Sequence, residues 1–462
     1  MKDMKIGLLP LYLELYDNAN PGLRERINAF LAKMSGSLKD MGLEVVDVPV
    51  CRLKAEFADA VKRFEEENVD AIVTLHLAYS PSLESAEVLA ATKLPIIVLD
   101  TTETYDFGPQ QERTEVSYNH GIHGVQDMCN LLIRNGKSFV IEAGHWQNSD
   151  VLKRVYRRVR SAKLAQSMKN TRAGLIGDSF KGMGDFLVPA DVLKSSIGVE
   201  LVKGCFDTIT SIMNGISKEE IDAEIENDRK IFDAAGVTAE AHERSVRAGL
   251  AVRKWIEKEN LSAFSMNFLA FTASTGMPTV PFLEASKAMA RGIGYAGEGD
   301  VLTASLVGAL SKVYPGTTFT EIFCPDWENN TIFLSHMGEV NVSLASDKPV
   351  LYEMKFAYTD VEKPITAAAR LRGGKAVFIN LAPRAGGRYA LILAPVEVVD
   401  VQGQDKMGGI RGWIKPPMPI SDFLEKYSYA GGTHHSAMVY DADMSELEGF
   451  AKLMDWTVEI IK

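Results

Sequence analysis

The early part of the chain alternates two hydrophobic patterns. Short apolar runs occur at Lys5–Pro10, Ala71–Leu75 and Pro95–Leu99, with β-branched Val45–Val50 and Ser138–Ile141 beside them. Between them, apolar residues recur every three or four positions, as in Ile27, Phe30, Leu31, Met34 and Leu38. That spacing predicts helices over Arg24–Met41, Phe57–Asn68, Ser82–Thr92 and Gly121–Asn135. Repeated strand–helix units of this kind form a parallel sheet covered by helices.

A second block of the same type begins near Thr171. Ala173–Asp178 reads as a strand running into a loop, Ser262–Leu269 as another strand, and Glu284–Arg291 and Val301–Val313 as helices. The charged stretch Ser217–Asn260 reads as a pair of solvent-facing helices. After Phe323 the texture changes. Thr331–Leu334, Val340–Val342, Ala376–Ile379 and Tyr389–Val401 are β-rich and separated by turn residues such as Gly386-Gly387. Short strands with short connections predict an antiparallel sheet or barrel. The expected domains are residues 1–170, 171–325 and 326–462.

Composition narrows the classes. With 50 basic and 61 acidic residues the net charge is −11, and no basic block stands out to neutralise phosphates, which argues against a nucleic-acid partner. No run approaches the roughly 18 apolar residues of a transmembrane helix. The first residues lack the apolar core and cleavage site of a signal peptide. The four cysteines are scattered without a C-x-x-C pair, so a disulfide scaffold or zinc ribbon is not expected and a reducing cytoplasm fits.

The chemistry concentrates in the last third. Glu298, Glu321, His336 and the His434-His435 pair each sit in a short Gly-, Pro- or aromatic-rich setting. Two carboxylates with imidazoles suit a divalent cation such as Mn²⁺, which takes oxygen and nitrogen ligands. They also suit proton transfer. Each has a plainer reading. Glu298 follows Gly292-Ile293-Gly294-Tyr295-Ala296-Gly297, a G-x-G-x-x-G match. A dinucleotide fingerprint needs a strand before that run, and the preceding Glu284–Ala290 reads as helix. The glycines therefore read as a tight loop presenting Glu298, with Asp300 as N-cap of the next helix. Glu321 lies in an apolar strand-like run, where the alternative is an edge strand facing water. His336 alone would read as a hydrogen-bonded core residue, and Cys324 as a buried thiol. Adjacent His434 and His435 can point to opposite sides of an extended backbone. Near the N-terminus, Asn119–Gly124 and Gly144–Gln147 are loops of the kind that line sites at strand ends, although His145 could equally cap the next helix.

Together these segments resemble the L-arabinose isomerase family and, more distantly, L-fucose isomerases. Pro281-Phe282 through Gly297-Glu298-Gly299-Asp300 and on to Thr303-Ala304 looks like that family's first Glu segment, and Phe319-Thr320-Glu321 its second. Ser335-His336-Met337-Gly338-Glu339-Val340 resembles "HMLEV", and Gly431-Gly432-Thr433-His434-His435 resembles "GGAHH". Gly144-His145-Trp146-Gln147 matches "GHWQ". His76 with Tyr79-Ser80-Pro81 resembles "H-x-F-S-P" with one residue inserted, and Asn119, His123 and Gly124 fit "N-x-x-x-H-G". The resemblance implies an α/β chain with two doubly wound parallel-sheet domains and a β-rich, antiparallel barrel-like C-terminal domain. It implies one divalent metal, Mn²⁺ with Co²⁺ or Mg²⁺ as alternatives, held by Glu298, Glu321, His336 and His435. It implies Glu298 and Glu321 as catalytic residues, and sugar contacts at His434, Phe271, His123, Tyr16 and Tyr79. The implied reaction is aldose–ketose isomerisation through a cis-enediol. The implied assembly is a homo-oligomer, trimer or hexamer, in which His123 enters a neighbouring subunit's site. One departure stands out: Leu13-Glu14-Leu15-Tyr16 replaces the family's "Q-H-L-Y". The rival readings are a nucleotide-dependent oxidoreductase built on the glycine run and a non-catalytic sugar-binding homologue.

Overall fold

The computed structural model describes residues 4–462; the extreme N-terminus, read above as lacking a signal sequence, lies largely outside them. The chain forms two compact units. One runs up to Gln166 and includes Ser445–Asp455; the other comprises Ser167–Met444 and Trp456–Lys462.

The first unit holds a five-stranded parallel sheet. Its strands are β1 (Met4–Leu11), β2 (Leu43–Asp47), β3 (Ala71–His76), β4 (Ile96–Asp100) and β5 (Phe139–Ala143), in the order β2-β1-β3-β4-β5. The apolar runs become strands because both faces are covered, so alternation is lost: all six residues of β3 are buried. Helices Lys54–Glu66 and Gly121–Arg134 supply Phe57, Phe64 and Met128 to a core shared with Leu9, Ile72 and Val98.

The second unit has two layers of architecture. Its first part is a four-stranded parallel sheet of β6 (Arg172–Ile176), β7 (Glu200–Gly204), β8 (Ala263–Met266) and β9 (Gly294–Gly297), ordered β7-β6-β8-β9. Its second part is a nine-stranded mixed sheet. The strands are β10 (Thr317–Asp326), β11 (Thr331–Ser335), β12 (Val350–Glu353), β13 (Ile365–Arg370), β14 (Gly374–Arg384), β15 (Arg388–Val398), β16 (Ile410–Lys415), β17 (His435–Tyr440) and β18 (Thr457–Ile460). Neighbours run β16-β11-β10-β17-β14-β15, and β15 pairs back onto β16, which closes these strands into a barrel. Most pairs are antiparallel; β13–β16 and β15–β18 are parallel. The barrel core includes Ile332, Phe378, Ile392, Ile414 and Met438.

Three expectations need correction or sharpening. The stretch read as solvent-facing helices forms Lys218–Ile231 and Ala239–Lys258, and the second of these buries His242, Val252 and Trp255 among others. Its charges pair inside the unit: fully buried Asp228 contacts Lys287 Nζ at 2.6 Å and His242 Nε2 at 3.0 Å, and Arg253 bridges Glu224 and Glu284. Paired charge can be buried where lone charge cannot. Cys324 is exposed, not buried. The glycine run, read as a tight loop, is mostly strand: β9 takes in Gly294–Gly297. A Cβ on Gly294 would lie 2.1 Å from the Ala304 carbonyl oxygen, so this glycine serves close strand–helix packing. No helix among the described residues is long and apolar enough to cross a membrane.

Candidate active site

Sheet register assembles most of the site. Glu321 on β10 pairs with Ser335 at the end of β11 on one side and with His435 at the start of β17 on the other. His336 follows Ser335 directly. One row of the barrel thus carries a glutamate between two histidine-bearing strands. A one-residue slip would turn these side chains to the opposite face, and β10 is held on both sides against it. The strand is therefore internal, not the water-facing edge that was the plainer reading of Glu321.

Glu298 arrives from the other sheet, immediately after β9. Carboxyl ends of parallel strands are where α/β sheets place ligands. Its backbone has φ +63°, flanked by Gly299 at +84°. A left-handed glutamate is uncommon, and such strain persists where the surroundings hold it. Here the Glu298 carbonyl accepts the Phe180 N–H at 2.8 Å. Asp300 Oδ1 caps the Val301–Ser311 helix through Thr303 N–H at 2.8 Å, as the sequence predicted.

The side chains converge. His435 Nε2 is 3.5 Å from both Glu298 Oε2 and Glu321 Oε1; His434 Nε2 is 3.6 Å from Glu321 and 3.9 Å from Glu298; His336 Nε2 is 3.7 Å from Glu321 Oε2. Two overlapping groups, Glu298–His434–His435 and Glu321–His336–His435, have the mutual spacing of metal ligands.

Each imidazole is fixed from behind by a carboxylate. His336 Nδ1–H donates to Glu339 Oε2 at 2.7 Å, His435 Nδ1–H to Asp300 Oδ2 at 3.0 Å, and His434 Nδ1–H to Asp185 Oδ2 at 2.7 Å. The Nε2 atoms of His434 and His435 are buried and have no hydrogen-bond partner. A carboxylate behind a histidine sets its tautomer and aims the other nitrogen at the site. Charge is strongly coupled here. Burial lowers the His435 pKa, but contact with Asp300 and Glu298 outweighs it and lifts it to about 10. Burial raises the Glu298 carboxyl, but the His434 and His435 rings outweigh it and hold it at about 2. Phe186 stacks on His435, centroids 4.9 Å apart and nearly parallel, and Phe319 meets the His336 and His435 rings edge-on.

The L-arabinose isomerase central domain matches residues 192–316 and the L-arabinose isomerase C-terminal domain residues 316–457, together more than half of the chain. The chain belongs to the L-arabinose isomerase family. Its relatives are distant. The L-arabinose isomerase of Shouchella clausii is 26% identical over 73% of this chain and 70% of its own. That of Aeromonas salmonicida is 24% identical over 84% and 80%. Among solved structures, a glucose-galactose binding protein from Geobacillus stearothermophilus covers 68% of this chain and 90% of its own at 14% identity, with a TM-score of 0.17. That score is too low to bear on fold or function. Membership of the L-arabinose isomerase family makes this divergent chain an aldose–ketose sugar isomerase by class.

The remaining residues named from the family resemblance have their own surroundings. Phe271 is fully buried, edge-on against Phe206. Tyr16, Tyr79 and His123 belong to the first unit, where they gather around His120. Tyr16 Oη lies 2.7 Å from His120 Nε2, His123 stacks on His120, and Tyr79 meets both rings edge-on. His76 lies beneath Gly121 and Gly124, where any Cβ would strike it. Burial pushes its pKa down to about 3, so it is neutral. His145 Nδ1 accepts the Gln147 and Asn148 N–H groups in the turn ahead of the Val151–Lys169 helix, so it shapes that turn rather than capping the helix. The orienting carboxylates Asp185 and Glu339 were not foreseen. Glu339 had a local signal, three residues after His336; Asp185 had none.

Proposed function

We propose that this chain interconverts an aldose and its 2-ketose through a cis-enediol, with one divalent cation held by Glu298, Glu321, His336 and His435. The carrying observation is the convergence of two carboxylates and three carboxylate-backed imidazoles, two of which aim unpartnered, buried Nε2 atoms inward. Buried polar atoms without partners are costly; a cation would satisfy Nε2 of His435, and a sugar hydroxyl that of His434. Mixed oxygen and nitrogen donors fit Mn²⁺, with Co²⁺ or Mg²⁺ as alternatives. When bound, such an ion supplies Lewis-acid polarisation of a sugar carbonyl. A cation would also let two carboxylates stand close together without mutual repulsion forcing one to protonate.

Glu298 and Glu321 share the proton work. From an aldose, one carboxylate removes the proton on C2 while the other group, entering this step as the carboxylic acid, gives O1 a proton, leaving a cis-enediol with a C1=C2 double bond. The same carboxylate then returns its proton to C1 as the O2 hydroxyl proton is withdrawn and the carbonyl forms at C2. The other carboxylate manages the transfer between O1 and O2. His434, more open than the other two rings, meets the sugar. The substrates that fit this reading are a pentose, a 6-deoxyhexose or a hexose altered at C6. Leu13 in place of the family's amide favours a sugar other than L-arabinose. The working form would be a cytoplasmic homo-oligomer in which His123, with Tyr16 and Tyr79 beside it, reaches a neighbouring subunit's sugar. Against the oxidoreductase reading, the glycines of β9 pack against a helix and against His336, and so present no phosphate cradle.

The test is a metal-supplemented panel of aldoses and ketoses, followed by proton NMR in deuterated water. Interconversion should vanish with a chelator and return with Mn²⁺, and Glu298→Gln or Glu321→Gln should abolish it in a folded protein. Near-normal turnover in both variants would defeat the assignment. Sugar binding with no interconversion across the panel would favour a binding protein.

A further inference from the structure

The three imidazoles are not held alike. The carboxylates behind His336 and His435 are fully enclosed, with side-chain exposures of 1% for Glu339 and 0% for Asp300. Asp185 and His434 are about one-third exposed, at 36% and 35%. Asp185 Oδ2 accepts both the His434 backbone N–H at 2.9 Å and the ring Nδ1–H at 2.7 Å. These are the hydrogen bonds it makes to other residues, although 249 positions separate the pair. A half-open carboxylate that closes a long-range contact to a single ring adds little to stability.

Asp185 lies in the connection between β6 and the Ala190–Ser196 helix. The start of this connection is seated tightly under Glu298. Phe180 N–H donates to the Glu298 carbonyl and Ser179 Oγ–H to that of Gly299 at 3.0 Å, and a Cβ on Gly299 would lie 2.5 Å from Ser179 Cα. Its middle is open, since a Cβ on Gly182 or Gly184 meets nothing. Its far end is tied down again, by Asp185 on His434 and Phe186 on His435. Asp185 thus occupies the point where this connection reaches the more open imidazole.

We propose that Asp185 is a positioning residue for sugar binding: it holds the His434 ring with Nδ1–H toward itself and Nε2 toward the substrate hydroxyls. The proposal rests on the isomerase reading above and deepens it. A ring free to rotate would spend much of its time misdirected, and misplacement at a site is costly.

The experiment is a cycle of wild type, Asp185→Ala, Asp185→Asn, His434→Ala and the double variant Asp185→Ala/His434→Ala. Binding of a non-reacting pentitol to Mn²⁺-loaded protein is read by calorimetry, Mn²⁺ binding to sugar-free protein by electron paramagnetic resonance, and turnover alongside. Asp185→Ala should weaken pentitol binding and lower kcat/KM by about tenfold to a hundredfold, the range for a lost hydrogen bond to a charged group. Asp185→Asn keeps an acceptor oxygen and should recover most of that loss. Mn²⁺ affinity should stay within about threefold of wild type, because His434 is outside the proposed ligand set. In the His434→Ala background, Asp185→Ala should add less than about twofold, since the two act as one unit. The same loss from Asp185→Ala with and without His434 would overturn the proposal, and so would a parallel fall in Mn²⁺ affinity. A wild type that binds pentitol and Mn²⁺ but interconverts no sugar would count against the isomerase reading instead, and the binding cycle would still decide Asp185.

Discussion

Asp300 carries two duties on one buried carboxylate, and separating them tests how the site is built. Oδ1 accepts the Thr303 N–H at 2.8 Å and caps a helix; Oδ2 accepts His435 Nδ1–H at 3.0 Å. The residue has no exposed surface, so water cannot substitute for either oxygen. Asparagine offers only one acceptor. If its oxygen faces Thr303, its amide N–H₂ meets Nδ1, and His435 must adopt the tautomer with its proton on Nε2, the atom aimed at the proposed cation. If the oxygen faces His435, two N–H donors oppose each other at the helix start. The second arrangement leaves one buried hydrogen bond unmade, about 1–3 kcal/mol; the first keeps both but turns a proton toward the proposed cation. Serine and alanine divide the duties differently. A serine hydroxyl can still cap Thr303 but cannot reach His435; alanine does neither. Asp300→Ser and Asp300→Ala should therefore lose Mn²⁺ affinity alike, by about tenfold to a hundredfold. They should differ in stability by about 1 kcal/mol, the worth of a cap. Mn²⁺ binding is followed by electron paramagnetic resonance and stability by urea unfolding of the metal-free protein. If all three variants bind Mn²⁺ like wild type, Asp300 does not orient a ligand. If serine restores affinity along with the cap, helix capping rather than ring orientation governs the site.

Other outcomes follow from the same structure. Gly297→Ala would place a Cβ 2.5 Å from His336 Cε1. The ring must move, and turnover should fall by about a hundredfold with the fold kept. Gly294→Ala collides with backbone instead and should cost about 1–3 kcal/mol in urea unfolding, as overpacking does. Asp228→Ala leaves Lys287 buried beside the already paired Glu224 and should cost about 3–5 kcal/mol by the same measurement; a loss under 1 kcal/mol would show the network to be dispensable. Burial raises the Glu224 carboxyl, but Arg253 and Lys287 outweigh it and hold it at about 2, below its ordinary 4.5. The stability from this depressed carboxyl is complete above about pH 4.5 and is lost as pH falls toward 2. Glu224→Gln should flatten that part of the acid-unfolding curve; an unchanged curve would remove Glu224 from the account.

Much of the architecture was legible in the hydrophobic pattern. Runs such as Ala71–Leu75 and Pro95–Leu99 are strands wherever they are enclosed on both faces, and their alternation with helical periodicity left a parallel sheet as the natural arrangement. Most of the short β-rich segments after Phe323 likewise announced the barrel; Val340–Val342 did not become a strand and leads into the 3₁₀ turn Val342–Leu344. Local chemistry was legible as far as it was local, as with Asp300 as a cap. The misreading of Ser217–Asn260 shows the limit. Its charges look solvated in one dimension, yet Glu224, Asp228 and Arg253 meet their partners Lys287 and Glu284 from another helix.

The sequence alone determined which groups were available and which segments would be strands or helices, because propensity and periodicity act between near neighbours. Tertiary structure decided their meeting. Register across β10 and β17 set Glu321 beside His435, and chain return placed Asp185 behind His434. Long-range contacts of this kind depend on how whole elements pack, and no spacing along the chain encodes them.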